Sequence, residues 1–391
     1  MNTNITKDAY LWGMRRLSAI ITALCLAAFL FSSCQTKDMY DSGKPYSRVV
    51  VLFFEGYQTL DLTRNIRSLE KSPLPLKGSS KAVIYLDHTN FTPYLIHVYS
   101  DIYGNVLKDT LVSFPGGTRT FDKDCIREVF SYIAEHFPSD HYGAMFSSHG
   151  SGWLPTGYYD HPRTKSLGPG YTDSEGKVEM TIQDLAKAVS IHLDYIIFDA
   201  CLMGGVETAY EMKDVCDNII ASCVEVPTDG FNYSSLIGSL LKDAPYGLDK
   251  VCQDYFDLYS ESSLFGATIS GINCRKLDPL VSVCSTLFDK YRAKLWQINP
   301  EKVQCYGQGG HNWFYDLEDI LQQCGTDDVE NKILSDALEE CLFFRKASKR
   351  FMTIDINHFC GLSMYLPSAG NDFLDGYYKS LSWNTATQLV K

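Results

Sequence analysis

The chain is short of positive charge: 35 Lys and Arg stand against 47 Asp and Glu, leaving a net charge of −12 and a pI near 5.2. That balance argues against nucleic acid as a partner. Its 13 cysteines include no C-x-x-C pair and no Cys/His finger spacing, so no structural zinc site is expected. A G-x-S-x-G elbow, a P-loop and an H-E-x-x-H pair are all missing, which removes the common serine hydrolase, nucleotide and zinc peptidase signatures. No EF-hand-like loop, internal repeat or low-complexity segment occurs. The apolar stretch Leu17 to Phe31 has 15 residues, too short for a membrane span.

That stretch follows Arg15 and Arg16, the layout of a signal peptide. It ends in Phe31-Ser32-Ser33-Cys34, which resembles a bacterial lipoprotein cleavage site with Phe31 where Leu is usual. The resemblance implies cleavage before Cys34, lipidation of Cys34, and a protein anchored in the bacterial cell envelope, periplasmic or surface-facing. The alternatives are a plain secretory signal or an uncleaved anchor. Residues 34–47 are polar with Ser, Gly and Pro and read as a flexible tether. Residues 48–391 are then one globular domain, its C-terminal part open to reading as a helical subdomain. Setting aside Cys25, Cys34 and Cys201, ten cysteines are spread thinly along the chain and are expected to be mostly buried thiols.

Hydrophobic periodicity alternates between strand and helix. Strands are predicted over 48–54, 81–87, 142–148, 195–198 and 218–224, with an antiparallel pair over 94–100 and 105–114. Helices are predicted over 59–71 and 122–137, from Thr181 with Asp184 as a capping acid, and from Met203. This alternation argues for an α/β fold with a mostly parallel sheet. Further on, helices are expected over 246–262, 277–296, 315–324 and 329–342, with strands over 265–272 and 361–366.

Two of the strands end in reactive side chains. Tyr195 to Phe198 runs into Asp199-Ala200-Cys201, and 142–148 runs into His149-Gly150-Ser151-Gly152-Trp153. If these strands are neighbours in a parallel sheet, Cys201 and His149 meet at the rim where open α/β sheets bind ligands. A helix starting at Met203 would also place its positive end by the Cys201 thiolate. A cysteine with a histidine roughly 50 residues upstream is the spacing of caspase-type nucleophiles. Cys201 would attack, His149 would move the proton, and the N–H groups of Gly150 and Cys201 would hold the oxyanion. His88 also follows a strand and is the rival base; His97 lies within a strand pattern and reads as core.

The pieces "SSHGSGW", "DACLMGGVE" and "GLSMYLP" resemble the clostripain family of cysteine peptidases, in the caspase-like group. The resemblance runs from about Val49 to the C-terminus and is weak over 55–61. It implies a caspase-like sheet flanked by helices, with additional C-terminal helical elements, and a Cys-His dyad without an obligatory third member. It also implies acids lining the primary substrate pocket at Asp199 and Asp229, hence peptide or protein substrates cut after Arg or Lys. Asp199 lies two residues before Cys201, so strand alternation points both the same way; the alternative is that Asp199 caps the next helix and Asp229 only shapes a turn. Family members are activated by a cut between the His and Cys strands. The polar stretch 153–177 offers Lys165 and Arg163 as preferred sites, with Lys177 a third. No cofactor is expected; some relatives need calcium, but no site for it is identified here. The competing functions are an inactive binding lipoprotein and a thiol acyl-transferase.

Overall fold

The first strand, β1 (Arg48–Glu55), is buried on both faces, and this is why its sequence is an unbroken apolar run rather than an alternating one. The computed structural model describes residues 45–55, 60–89, 92–114, 123–156, 158, 180–243, 247–262, 264–307 and 312–391. They fall in one compact unit beginning at Pro45. The strands that follow are β2 (Lys81–His88), β3 (Tyr94–Ser100), β4 (Val106–Ser113), β5 (Tyr142–Ser147), β6 (Tyr195–Asp199), β7 (Asn218–Ala221), β8 (Thr268–Asn273), β9 (Tyr315–Asp316) and β10 (Leu342–Ala347). The nine-stranded sheet has the order β10-β8-β7-β6-β5-β1-β2-β3-β4. Its centre, β7-β6-β5-β1-β2, is parallel; β3, β4, β8 and β10 run antiparallel to their neighbours.

The helices are α1 (Leu60–Leu69), α2 (Lys123–His136), α3 (Ile182–Ala188), α4 (Val206–Met212), α5 (Tyr233–Leu240), α6 (Leu248–Tyr259), α7 (Leu277–Leu295), α8 (Leu317–Gln323), α9 (Asp328–Cys341), α10 (Asp372–Tyr378) and α11 (Ser382–Thr387). From β1 the chain steps through α1 to β2, whereas from β5 it steps through α3 to β6 in the opposite direction. Right-handed crossovers therefore put α1 and α3 on opposite faces. Packing agrees: α1 touches α5 and α5 touches α6, while α2, α3, α4, α11, α7 and α9 form a separate run of contacts. The switch in direction falls between β1 and β5, so the C-terminal rim of β5 and β6 is a natural crevice.

Inside the sheet, Phe53 stacks on Phe146 at 4.6 Å and tilts against Phe130. At the opposite rim Arg48, 1% exposed, pairs with Asp194 at 3.0 Å, and His141 adds a second contact to the same carboxylate. His97 is core as expected, packed against the rings of Tyr99 and Phe137, and burial lowers it to about 4. Every described cysteine is a free thiol, and all but the half-buried Cys305 are buried.

Several elements differ from the sequence expectations. The helix after Cys201 begins at Val206, not Met203, with Gly205 as its N-cap. The strand expected over 218–224 ends at Ala221, because the next residues leave the sheet to bond the turn after Cys201. β10 lies where the sequence shows only a helix ending, at Leu342. The strand expected over 361–366 reduces to Ser363–Met364, which pairs with β9 in a separate two-stranded ladder rather than closing the main sheet. The helix expected from Tyr315 starts at Leu317, since Tyr315 and Asp316 are that ladder's other strand. Thr181 does cap α3, accepting the Asp184 N–H at 3.1 Å.

Candidate active site

β5 and β6 pair in parallel with Ser147 opposite Asp199. His149 and Cys201 each follow two residues later, so the two leave neighbouring strands at one height, about 4.8 Å apart in the strand-to-strand direction. The Ser148 N–H to the Asp199 carbonyl, 3.4 Å, extends this ladder beyond the named strands. His149 is exposed and Cys201 is 4% exposed. The rival His88 ends β2, which is separated from β6 by β1 and β5. Three strand spacings put its backbone about 14 Å away, against one spacing for His149.

The His149 loop lies directly on the Cys201 turn. A Cβ on Gly150 would collide with the Cys201 carbonyl oxygen and come within 2.8 Å of the Cys201 nitrogen. Glycine is thus required here for backbone-on-backbone packing, a stronger reason than the approach to an oxyanion that the sequence suggested. Gly152, at φ +58°, repeats the pattern two residues on, where a Cβ would meet the Leu202 carbonyl at 2.6 Å. Leu202 itself has φ +62°, a conformation costing a non-glycine residue about 1–2 kcal/mol. Two bonds hold it there: Leu202 N–H to Val224 C=O, 3.1 Å, and Gly204 N–H to Ser222 C=O, 2.8 Å.

These bonds replace the helix that was expected after Cys201. Because α4 starts only at Val206, the dipole effect, which fades beyond one turn, does not explain a thiolate at Cys201. Instead the Val226 N–H donates to the Cys201 sulfur at 3.4 Å. The segment that would have prolonged β7 therefore supplies both the brace for the turn and a donor to the thiol.

Asp199 ends β6 fully buried and faces the same segment. Its Oδ2 accepts the Ser147 hydroxyl at 2.7 Å and the Tyr233 hydroxyl at 2.5 Å. Burial, then the Asp199 charge, pushes the Tyr233 hydroxyl far above its ordinary range, so it remains a neutral donor. Gly230, at φ +61°, stands over the carboxylate: a Cβ there would lie 2.6 Å from Oδ1. The Tyr259 hydroxyl fixes Gly230 by bonding its carbonyl at 2.5 Å. Burial raises Tyr259, and the charges of Asp199 and Asp229 add to it. Asp229 is exposed on the turn closed by the Gly230 N–H to Pro227 C=O bond.

Of the residues singled out from sequence, the structure brings His149, Gly150, Cys201, Asp199 and Asp229 to one rim. Asp199 does not cap a helix, since Gly205 occupies that position. Two hydroxyl donors to its Oδ2 offset part of the cost of burying this carboxylate. Lys165, Arg163, Lys177 and Cys34 lie outside the described residues. Sequence reasoning missed Ser147, Tyr233 and Tyr259. Ser147 was findable, as the polar last residue of a strand in register with Asp199; the tyrosines sit on helices that only the fold brings to β6. Among the described residues no group of three or more His, Cys, Asp or Glu is arranged to hold a metal ion.

The architecture matches solved structures closely in shape. An inactive zymogen C11 protease from Parabacteroides distasonis superposes with a TM-score of 0.75 at 23% identity, covering 88% of this chain and 99% of that one. A secreted C11 cysteine protease from Bacteroides thetaiotaomicron, in complex with an irreversible peptide inhibitor, gives a TM-score of 0.73 at 22% identity, covering 87% and 99%. The fold is thus the caspase-like one of these proteases, a mostly parallel sheet between helical layers. No protein of curated function matches the chain. The sequence matches the clostripain family over residues 82–389, most of its length. This chain belongs to the clostripain family of C11 peptidases.

Proposed function

We propose that the protein is a cysteine endopeptidase that cuts after Arg or Lys, with Cys201 as nucleophile and His149 as proton carrier. The observation that carries this reading is the seating of the His149 loop on the Cys201 turn, through Gly150, at the C-terminal rim of adjacent parallel strands. The thiol gives its proton to His149 and its sulfur attacks the scissile carbonyl carbon. The oxyanion is met by the N–H groups of Gly150 and Cys201. Protonated His149 then delivers its proton to the leaving amine, the C–N bond breaks, and water hydrolyses the acyl-enzyme.

Arg or Lys preference is supported by two acids on one side of the thiol, Asp199 beneath Gly230 and Asp229 on the exposed turn. A guanidinium or ammonium gains charge-assisted bonds there. Activation would follow self-cleavage at Lys165 or Arg163, and lipidation at Cys34 would hold the enzyme in the cell envelope. The test is a fluorogenic peptide library with wild type and Cys201→Ala, with intact-mass analysis of both. Wild type should cleave after Arg or Lys and be found as two fragments, while Cys201→Ala should be silent and uncut. An apolar or acidic preference would refute the pocket, and turnover by Cys201→Ala would refute the mechanism.

A further inference from the structure

Glu207 lies in the first turn of α4, beyond the Cys201 turn, and the mechanism above does not use it. It is completely buried. Its Oε1 accepts the Tyr365 backbone N–H at 2.8 Å and the Tyr378 hydroxyl at 2.7 Å. Among the described residues Oε2 has no hydrogen-bond partner; it lies 3.0 Å from where a Cβ on Gly205 would be. The same segment is tied to the strand before Tyr365 by the Ser363 N–H to Gly204 C=O bond, 3.0 Å.

The two tyrosines form a slot. Their rings are 4.8 Å apart, and Trp153, with no exposed surface, packs edge-on against Tyr365 at 5.0 Å and Tyr378 at 5.1 Å. Trp153 is the far end of the His149 loop, whose Gly150 and Gly152 rest on Cys201 and Leu202. One carboxyl therefore joins the helix after the nucleophile, the C-terminal segment, and the aromatic anchor of the histidine loop.

We propose that Glu207 is a positioning residue: by holding Tyr365 and Tyr378 it fixes the slot that seats Trp153, and so sets His149 against Cys201. The inference rests on Cys201 and His149 being the catalytic pair. Removing the acceptor strands a buried N–H and a buried hydroxyl beside the slot. A shift of about 1 Å in a catalytic group costs about 100-fold in rate. The substrate pocket, on the other side of Cys201, is not involved.

Glu207 is also raised to about 7, by burial first, against the opposing pull of the Tyr365 N–H and the Tyr378 hydroxyl. The titratable groups facing it are Tyr378 on α10, Tyr365 with Asp375 bonded to its hydroxyl at 2.6 Å, and Cys223 from the segment after β7. Glutamine keeps the acceptor oxygen without the titration, which makes Glu207→Gln the control and Glu207→Leu the break.

The experiment measures kcat and KM on an Arg peptide, and the pH dependence of Cys201 alkylation by iodoacetamide, in the processed enzyme. Glu207→Leu should lose about 100-fold in kcat with KM within about threefold, and its alkylation midpoint should rise toward that of an ordinary thiol. Glu207→Gln should stay within about threefold on both readouts. If Glu207→Leu fails to fold, Tyr378→Phe removes only the hydroxyl and should lose roughly fivefold in kcat with the same upward drift of the midpoint. A folded Glu207→Leu, or in its place a Tyr378→Phe, with wild-type kcat and alkylation profile overturns the proposal. So does a Glu207→Gln that falls as far as the leucine variant. Lower thermal stability with an unmoved alkylation profile shows a merely structural role and equally overturns it. An inactive wild type, or an active Cys201→Ala, would instead overturn the catalytic pair on which it rests.

Discussion

Two buried acids flank the Cys201 turn, and a tyrosine hydroxyl bonds each: Tyr233 to Asp199 at 2.5 Å, Tyr378 to Glu207 at 2.7 Å. What covers them differs. Asp199 lies under Gly230, on a short turn whose neighbour Asp229 is exposed to solvent. Glu207 is fully buried, and the two tyrosines that bond it pack against the buried Trp153. A buried carboxyl beside a polar, exposed turn suits recognition of a cation, because the turn can admit it. A buried carboxyl inside an aromatic cluster suits rigidity, because water is excluded and its bonds are hard to replace. Under the proposed roles, one chemical device would serve recognition on one side of Cys201 and positioning on the other.

The largest expected effect removes the element both flanks serve. Cys201→Ala should abolish peptide hydrolysis, and His149→Ala should lose on the order of 1,000-fold or more in kcat, both with wild-type circular dichroism. Retained turnover in either would mean that the two flanks support something other than this pair.

Next comes the contact that joins them. Gly150→Ala places a methyl against the Cys201 carbonyl and amide, so the loop or the turn must move. Activity should fall by roughly 10- to 100-fold and stability by about 1–3 kcal/mol. A fully active alanine variant would show that the two backbones separate without consequence.

The recognition flank is sharpened by Asp229→Ala. Because Asp229 is exposed, the melting temperature should hold, while kcat/KM for Arg peptides falls about tenfold, the loss of one charge-assisted bond. An unchanged Arg preference would leave Asp199 as the acid that carries it.

The effect with the least bearing on activity concerns the pH dependence of stability on the rigid flank. Glu207 is raised from 4.5 to about 7, so the folded state binds an extra proton between those values. Its contribution to stability is full below pH 4.5 and is lost as the pH rises to about 7; above that it is flat. The loss is on the order of 3 kcal/mol. Glu207→Gln cannot titrate, so its urea midpoint should decline less than that of wild type between pH 4.5 and 8. Parallel declines would place the titration elsewhere.

Much of this was legible from residues alone, and the failures share a cause. The buried strands were found because a central parallel strand must be apolar throughout. The helix start was misplaced by three residues because Met203 continues an apolar period, while the bonds from 202–204 to 222–224 that oppose a helix there come from another part of the chain. The strand at Leu342 and the shortened one at Ser363 were misread for the same reason: edge strands are specified by the partner they find, and that partner is distant in sequence.

By itself the sequence determined the alternating α/β pattern, the placing of His149 and Cys201 at strand ends, and Asp199 two residues before the thiol. These follow from local periodicity and from spacing along the chain, which folding cannot alter. Only the tertiary structure decided that Gly150 is needed for contact with Cys201, that Val226 and not a helix end faces the sulfur, and that Glu207 reaches Tyr378. Each of these depends on packing between segments far apart in the chain, where steric fit and buried hydrogen bonds, not propensity, choose the conformation.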